Sequence, residues 1–207
     1  LPIAFFKSHR VAPQTLEAEI VFSSSGTTGQ ASSRHYVSDI SLYENSFRTG
    51  FERFYGKPED YCILALLPAY LERTGSSLVY MVDDLIKKST HPKSGFYLNN
   101  HQELRSTLNS LKSKGQKTLL IGVSFGLLDF VEEQTFHWPE LTIMETGGMK
   151  GRRKEMIRSE LHSILKHGFG VSNIHSEYGM TELLSQAYSK GNGLYQCPPW
   201  MKVSTRD

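Results

Sequence analysis

Three polar stretches of the sequence carry side chains that could bind a nucleotide and its metal ion. The first, SSSGTTGQ at residues 23–30, consists almost entirely of hydroxyl side chains and glycine. Its hydroxyls and N–H groups could surround a polyphosphate, because Gly26 and Gly29 let the backbone approach an anion closely. A Ser/Gly-rich surface turn is the competing interpretation. No Gly-Lys-Ser/Thr follows at P-loop spacing, so a positive charge must come from elsewhere, with Arg34 and Lys150 as candidates.

The other two stretches, METGGMKGRR at residues 144–153 and SEYGMTE at residues 176–182, offer groups for a base and a metal. A glycine pair lets a flat ring lie against bare peptide, an aromatic ring can stack on it, and a carboxylate can hold Mg²⁺. The residues concerned are Gly147, Gly148, Tyr178, Thr181 and Glu182. Together these groups suit a nucleotide with its metal.

The elements between these stretches predict an α/β fold. Short apolar runs such as CILALLP, TLLIGV and LTIMET alternate with helical patterns. The first helical pattern follows the N-cap Ser38-Asp39, and the last covers MTELLSQAYS. Alternating strands and helices predict a mostly parallel sheet with helices on both faces. Ligands bind at the carboxyl ends of such strands, so we expect the loops at 23–30, 145–150 and 178–182 to converge at one edge. The stretch 23–30 is expected to lead from a strand into a helical segment.

Composition excludes several classes of protein. The chain has 207 residues with 39% hydrophobic residues and a formal net charge of +2, which gives no case for nucleic acid as a partner. The basic run KGRRK at 150–154 is interpreted as the charged start of a helix. Two distant cysteines fit neither a disulfide framework nor a zinc motif, and no segment is long and apolar enough to span a bilayer, so we expect a cytoplasmic protein. The chain lacks an initiator Met and ends on a strand-like pattern over 201–205, so we expect both ends to be cut from a longer protein.

The order of the stretches resembles a known family. SSSGTTGQ followed at long range by YGMTE resembles the phosphate loop and the adenine/magnesium motif of the adenylate-forming superfamily, which includes acyl-CoA synthetases, adenylation domains and luciferases. Within it, LLPAYLERTGSSLVYM, METGGMKGRRKEM and SEYGMTELLSQAYS are similar to LuxE-type acyl-protein synthetases. The resemblance implies that residues 1–207 are the ATP-binding portion of the large N-terminal domain. It also implies that the mobile C-terminal lid domain lies outside this chain.

The resemblance also implies roles for individual residues. ATP phosphates would be bound by Ser24, Ser25, Gly26, Thr27, Thr28, Gly29 and Arg34, and adenine by Gly147, Gly148, Met149, Tyr178 and Gly179. Thr181 and Glu182 would be catalytic, Thr181 at the α-phosphate and Glu182 as the Mg²⁺ ligand. Many relatives carry a lysine shortly after the last loop glycine, where this chain has Gln30 and then Arg34. The family's ribose-binding aspartate and catalytic lysine lie beyond the second motif and are not found before Asp207.

The implied reaction is ATP- and Mg²⁺-dependent activation of a fatty acid or other carboxylic acid as an acyl-adenylate, with release of pyrophosphate. In LuxE-type relatives the acyl group then passes to a protein thiol or a partner, ultimately for reduction, so an acyl-acceptor or reductase protein is an expected partner. Cys197 could be an acceptor or a structural cysteine, His175 could serve the site or the core, and Tyr70 could gate it or cap the core. The alternative function is a non-catalytic nucleotide- or acyl-binding module derived from that fold.

Overall fold

The computed structural model describes residues 2–24, 31–68, 75–147 and 153–204. The strands in these ranges are β1 (Ile20–Ser23), β2 (Arg34–Val37), β3 (Cys62–Leu66), β4 (Gly95–Phe96), β5 (Thr118–Val123), β6 (Thr142–Thr146), β7 (His175–Tyr178), β8 (Ala187–Ser189) and β9 (Tyr195–Gln196). The helices are α1 (Phe5–Ser8), α2 (Ile40–Tyr55), α3 (Ser77–Ser89), α4 (His101–Ser113), α5 (Ser124–Glu133) and α6 (Arg158–Phe169).

A seven-stranded sheet in the order β4-β3-β5-β6-β7-β8-β9 forms the centre of the molecule. From β4 to β7 the strands run parallel, and β8 and β9 are added antiparallel at the far edge. Every residue of β3 and β5 is buried. Their continuous apolar sequences are typical of strands that are covered by helices on both faces. The predicted α/β class with a mostly parallel sheet is confirmed.

Helix α2 begins where the sequence predicts it. The Asp39 carboxylate accepts a hydrogen bond from the backbone N–H of Ser41 at 3.0 Å, and the helix ends at Tyr55 before Gly56. Its apolar face carries the buried rings of Phe47 and Phe51, which join the main core with the strands. None of the helices in the described ranges is long and apolar enough to cross a membrane.

The stretch at 23–30 does not lead directly into a helix as expected. Its described beginning belongs to a separate two-stranded sheet, in which β1 pairs antiparallel with β2. Two hydrogen bonds join Ser24 and Ser33 at the base of the connection. The Ser24 N–H donates to the Ser33 carbonyl at 3.1 Å, and the Ser33 N–H donates to the Ser24 hydroxyl at 2.9 Å. The chain therefore turns back as a hairpin before it enters α2.

The helix predicted over MTELLSQAYS is wrong. Residues 181 and 182 form a turn and the segment continues into β8, which pairs with β7 on one side and β9 on the other. The buried Tyr188 side chain packs among Phe54 and Tyr55 of α2, so burial favours the extended form here over helix propensity. The basic helix also begins later than predicted, at Arg158 rather than within residues 150–154, and residues 201–204 form no strand.

Candidate nucleotide site

Two adjoining cavities open beside the carboxyl ends of β6 and β7. We call the first the serine-lined cavity; its volume is about 430 Å³, and its wall includes Ser23, Ser24, Ser76, Ser77, Thr181 and Glu182. The second, the tyrosine-lined cavity, has a volume of about 420 Å³ and includes Glu145, Gly147, Arg158, Tyr178 and Tyr195 in its wall. Thr146, Glu177 and Gly179 line both cavities. The two spaces therefore share a wall and could hold two parts of one ligand.

The hairpin and α3 together build one side of the serine-lined cavity. The Ser23 N–H donates to the Gly75 carbonyl at 2.7 Å, which holds the end of β1 against the segment that precedes α3. Ser76 caps α3 by accepting a hydrogen bond from the Val79 N–H at 3.4 Å, and Ser77 is the first residue of the helix. The partial positive charge of the α3 N-terminus thus lies at a wall rich in hydroxyls, an arrangement that favours anions.

The loop after β7 is tied to the same hairpin. The Thr181 carbonyl accepts a hydrogen bond from Nδ1 of His35, a β2 residue, at 2.9 Å, which requires the imidazole tautomer with a proton on Nδ1. Glu182 follows in the turn, is partly buried and lines the serine-lined cavity. Residues from the first and third polar stretches therefore reach one cavity, although they are far apart in the sequence.

An exposed aromatic ring marks the tyrosine-lined cavity. Tyr178 ends β7 with 42% of its surface exposed, and its ring centroid lies 6.1 Å from that of Tyr195 at an interplanar angle of 73°. The Arg158 guanidinium lies 5.1 Å from the Tyr195 ring centroid. Gly147 has a φ of +36°, and no atom of the described residues beyond its chain neighbours comes within 4 Å of the position of a Cβ there. A glycine backbone beside a partly exposed aromatic ring suits a planar, partly polar group.

Glu145 is a buried carboxylate in the same wall. Its Oε1 lies 3.6 Å from Nε2 of His162 and 3.8 Å from Nε of Arg158. Burial alone would raise the pKa of Glu145, but the neighbouring polar groups of His162 and Ser176 and the charges of His162 and Arg158 outweigh it and lower the pKa. Glu145 is therefore an ionised hydrogen-bond acceptor at neutral pH.

Glu177 is the functional candidate that the sequence analysis missed. It is 6% exposed, and its Oε2 accepts a hydrogen bond from the Thr146 hydroxyl at 2.6 Å. Burial, with a further contribution from the charge of Glu145, raises the pKa of Glu177 to about 7, against the Thr146 hydrogen bond, which lowers it. The sequence signal for Glu177 was that this carboxylate directly precedes Tyr178 in a strand. The sequence does not show that Glu177 is buried, because its burial depends on the neighbouring elements.

A second missed feature is a buried polar chain behind the serine-lined cavity. The Gln186 side-chain amide donates to the Tyr43 hydroxyl at 3.0 Å, and that hydroxyl donates to the Ser77 carbonyl at 3.1 Å. Gln186 and Tyr43 both line the cavity. This chain links the segment before β8 to α2 and to the start of α3, and so fixes the distance between the two sides of the cavity.

Gly179 leaves room for the Glu177 carboxyl group, which gives a first prediction. A Cβ at position 179 would lie 2.6 Å from Oε1 of Glu177, closer than side-chain atoms approach each other. We expect Gly179→Ala to displace the Glu177 carboxyl group and to lower the free energy of unfolding by about 1–3 kcal/mol, as overpacking does. Urea denaturation would measure it, with Gly95→Ala as the matched control, because Gly95 also lacks a positive φ and a Cβ there would meet Tyr97 at an ordinary 3.7 Å. Equal losses in both variants would contradict the steric explanation.

The structure brings some of the predicted site residues together. Ser24, Thr181 and Glu182 line the serine-lined cavity, Gly147 and Tyr178 line the tyrosine-lined cavity, and Gly179 lines both. The remaining loop and adenine candidates, Ser25, Gly26, Thr27, Thr28, Gly29, Gly148 and Met149, lie outside the described residues, as do Tyr70 and Lys150.

Arg34 lies on the wall of a different cavity. It shares a space of about 430 Å³ with Lys7, Arg10 and Tyr36, and it does not line the serine-lined cavity. No lysine or arginine stands among the described residues that line the serine-lined cavity, so the positive potential within this part of the wall comes from the α3 N-terminus. The contact of Arg34 with ATP phosphates stays a prediction.

His175 begins β7 and lines neither cavity. Its Nδ1 lies 3.2 Å from the Tyr55 hydroxyl, and burial together with the charge of Lys190 lowers the pKa of His175 to about 4. A neutral, packed imidazole at this place favours the structural interpretation of His175. Cys62 is buried and Cys197 exposed, and both thiols are free.

Solved structures that are similar to this chain over part of their length include two enzymes whose names describe them as a ligase and a synthetase. No family model matches the chain, and no curated protein matches it. Coronafacic acid ligase from Pectobacterium brasiliense, solved as a mutant form, is 17% identical with a TM-score of 0.42, over 65% of this chain and 24% of its own. O-succinylbenzoate coenzyme A synthetase from Bacillus subtilis, solved in complex with AMP, is 18% identical with a TM-score of 0.49, over 86% of this chain and 33% of its own. The chain thus spans a quarter to a third of the length of these structures.

Proposed function

We propose that this chain is the ATP-binding portion of an adenylate-forming ligase that activates a carboxylic acid as its acyl-adenylate. The observation that carries the proposal is that Ser24, Thr181 and Glu182 line one cavity, joined through Gly179 to a second cavity that holds the exposed Tyr178 ring. A base on Tyr178 and phosphates beside Ser24 would occupy both cavities at once. These are the residues of the two motifs on which the resemblance to adenylate-forming enzymes rests.

Each wall has a role in this proposal. Tyr178 and Gly147 bind the adenine ring, and the hydroxyls of Ser23, Ser24 and Ser76 bind the phosphates with the N-terminus of α3. The resemblance assigns residues 25–29 to the phosphates and residues 148 and 149 to adenine, and these residues lie outside the described ranges. Thr181 donates to an α-phosphate oxygen.

The Glu182 carboxylate suits a magnesium ion in this cavity. It is partly buried and lines the serine-lined cavity, and Mg²⁺ is commonly held by one or two carboxylates together with substrate phosphates. In the described ranges, no cluster of three or more His, Cys, Asp or Glu side chains forms a metal site from protein ligands alone. A bound Mg²⁺ would neutralise phosphate charge.

The reaction needs no nucleophile from the protein. A carboxylate oxygen of the substrate attacks the α-phosphorus of ATP and forms an oxygen–phosphorus bond. The bond between the α-phosphorus and the oxygen that bridges to the β-phosphate breaks, and pyrophosphate is released. The protein contributes positioning and hydrogen-bond donors for the charge that develops on the α-phosphate. Catalysis of this half-reaction therefore rests on Thr181, Glu182 and the phosphate loop.

The finer assignment follows the LuxE-type resemblance. The acid would be a fatty acid, and the acyl group would pass to a protein thiol or to a partner protein for reduction. The two free cysteines are compatible with a reducing cytoplasm. In this proposal the 207 residues are one part of the large domain, and the lid domain with its catalytic lysine belongs to a longer protein.

Acid-dependent exchange of labelled pyrophosphate into ATP tests the proposal. The assay uses the longest natural protein that contains this chain, with Mg²⁺ and a panel of long-chain, short-chain and aromatic acids. We expect exchange that requires both Mg²⁺ and an acid and that is fastest with fatty acids. Binding of ATP without exchange for any acid would favour the non-catalytic nucleotide- or acyl-binding module instead. Exchange with aromatic acids alone would keep the ligase but overturn the LuxE-type assignment.

A further inference from the structure

Glu177 occupies the wall between the two cavities. It lies in β7 directly before Tyr178 and pairs across the sheet with Thr146 of β6, whose hydroxyl bonds to its Oε2 at 2.6 Å. Both cavities include Glu177 in their lining, together with Thr146 and Gly179. A ligand with its base in one cavity and its terminal phosphates in the other must pass this carboxyl group at the phosphate nearest the nucleoside.

The surroundings of Glu177 disfavour its ionised form. The titratable groups that face it from the packed elements are Glu145 of β6, Tyr43 and Tyr55 of α2, Tyr188 of β8 and Tyr195 of β9, and Glu182 lines the same cavity. Arg158 also lines the tyrosine-lined cavity, but its guanidinium lies beside Glu145 and the Tyr195 ring. Within the described ranges Glu177 has no cationic partner, and its pKa of about 7 reflects this.

The second oxygen of Glu177 is the one free to meet a ligand. Oε2 accepts the hydrogen bond from the Thr146 hydroxyl. Gly179 lies on the side of Oε1 and has no Cβ; a Cβ there would lie 2.6 Å from Oε1. Gln186, which is buried in the wall of the serine-lined cavity, has an Oε1 without a hydrogen-bond partner among the described residues. The serine-lined cavity therefore holds a buried polar atom that lacks a hydrogen-bond partner among the described residues and could accept one from a ligand.

We propose that Glu177 binds the ligand as a neutral carboxylic acid, with its Oε1–H donating a hydrogen bond to an oxygen of the phosphate that joins the nucleoside to the remaining phosphates. This inference rests on the proposed function, because it assumes that the ligand is an adenosine phosphate spanning both cavities. Ionisation removes the donor and puts a negative charge beside the phosphate. Affinity for the phosphate therefore falls as the pH rises through 7, while affinity for the nucleoside alone does not.

The methyl ester of AMP tests this inference, because a phosphodiester carries one fixed charge between pH 6 and pH 8.5 whereas AMP itself titrates in that range. Its Kd and that of adenosine are measured by calorimetry at both pH values with the longest natural protein that contains this chain. For the unchanged protein we expect the Kd of the methyl ester to rise about 30-fold at pH 8.5, the factor set by the fraction of Glu177 that stays protonated. The Kd of adenosine should stay constant.

Two variants complete the test. Glu177→Gln keeps an uncharged donor and should bind the methyl ester equally well at both pH values. Glu160→Gln, an exposed carboxylate of α6 that lines neither cavity, should behave like the unchanged protein. A pH-independent Kd in the unchanged protein, or an unaltered pH dependence in Glu177→Gln, overturns the inference. Failure of adenosine and of the methyl ester to bind at either pH would instead overturn the proposed function.

Discussion

Glu182→Gln should slow acid-dependent pyrophosphate exchange by on the order of 10²-fold or more while leaving the fold intact. Glutamine keeps the size of the side chain but removes the negative charge that a Mg²⁺ ligand needs. Glu182 is partly buried at the edge of the serine-lined cavity, and its side chain belongs to no helix or strand. The change should therefore act on the reaction far more than on folding.

Melting temperature and exchange rate measured on the same purified variant separate a metal ligand from a structural residue. We expect a midpoint within a few degrees of the unchanged protein, as for substitutions that cost about 0.5 kcal/mol. Glu160→Gln is the matched control, because it removes an exposed carboxylate that lines neither cavity. Normal exchange with a lowered midpoint would end the assignment of Glu182 as a magnesium ligand. The structure already removes one structural role, that of a first-turn acid, because a turn and then β8 follow where a helix was predicted.

The parallel part of the sheet could be predicted because its strands are apolar on both faces. β3 and β5 are buried at every position, so their sequences are uninterrupted apolar runs that fit little else. β8 could not be predicted in the same way. Its segment has apolar residues at spacings that also suit a helix, and it becomes a strand because β7 and β9 bond to it and α2 covers Tyr188.

The residues of the candidate site also differ in whether the sequence could predict them. Tyr178, Thr181 and Glu182 could be singled out from the sequence because they belong to one compact motif. The importance of Glu177 could not, since it depends on β6 and β7 being neighbours in register, with Thr146 opposite Glu177. Arg34 is the reverse case: it stands close to Ser24 through the hairpin, yet its side chain lines another cavity. The contacts between strands, rather than the residue types, determine where the side chains of Glu177 and Arg34 lie.

The largest effect on stability should come from the titration of Glu177. Its pKa is about 7 in the folded chain against an ordinary value of 4.5, because burial penalises the charged form. Between these two pH values the folded chain holds a proton that the unfolded chain has lost. The contribution of Glu177 to the free energy of unfolding is therefore full below pH 4.5 and is lost as the pH rises through 7. The whole change amounts to roughly 3 kcal/mol.

Urea unfolding of the 207-residue chain at pH 5 and pH 8.5, with and without Glu177→Gln, measures this contribution directly. All other titrating groups, including His175 with its lowered pKa, are present in both proteins and cancel in the difference. We expect the unchanged protein to lose roughly 2–3 kcal/mol relative to Glu177→Gln between the two pH values. If the two proteins keep a constant difference, Glu177 is ionised throughout. The carboxyl group in the shared wall would then be an anion at neutral pH, and it could not donate a hydrogen bond to a phosphate.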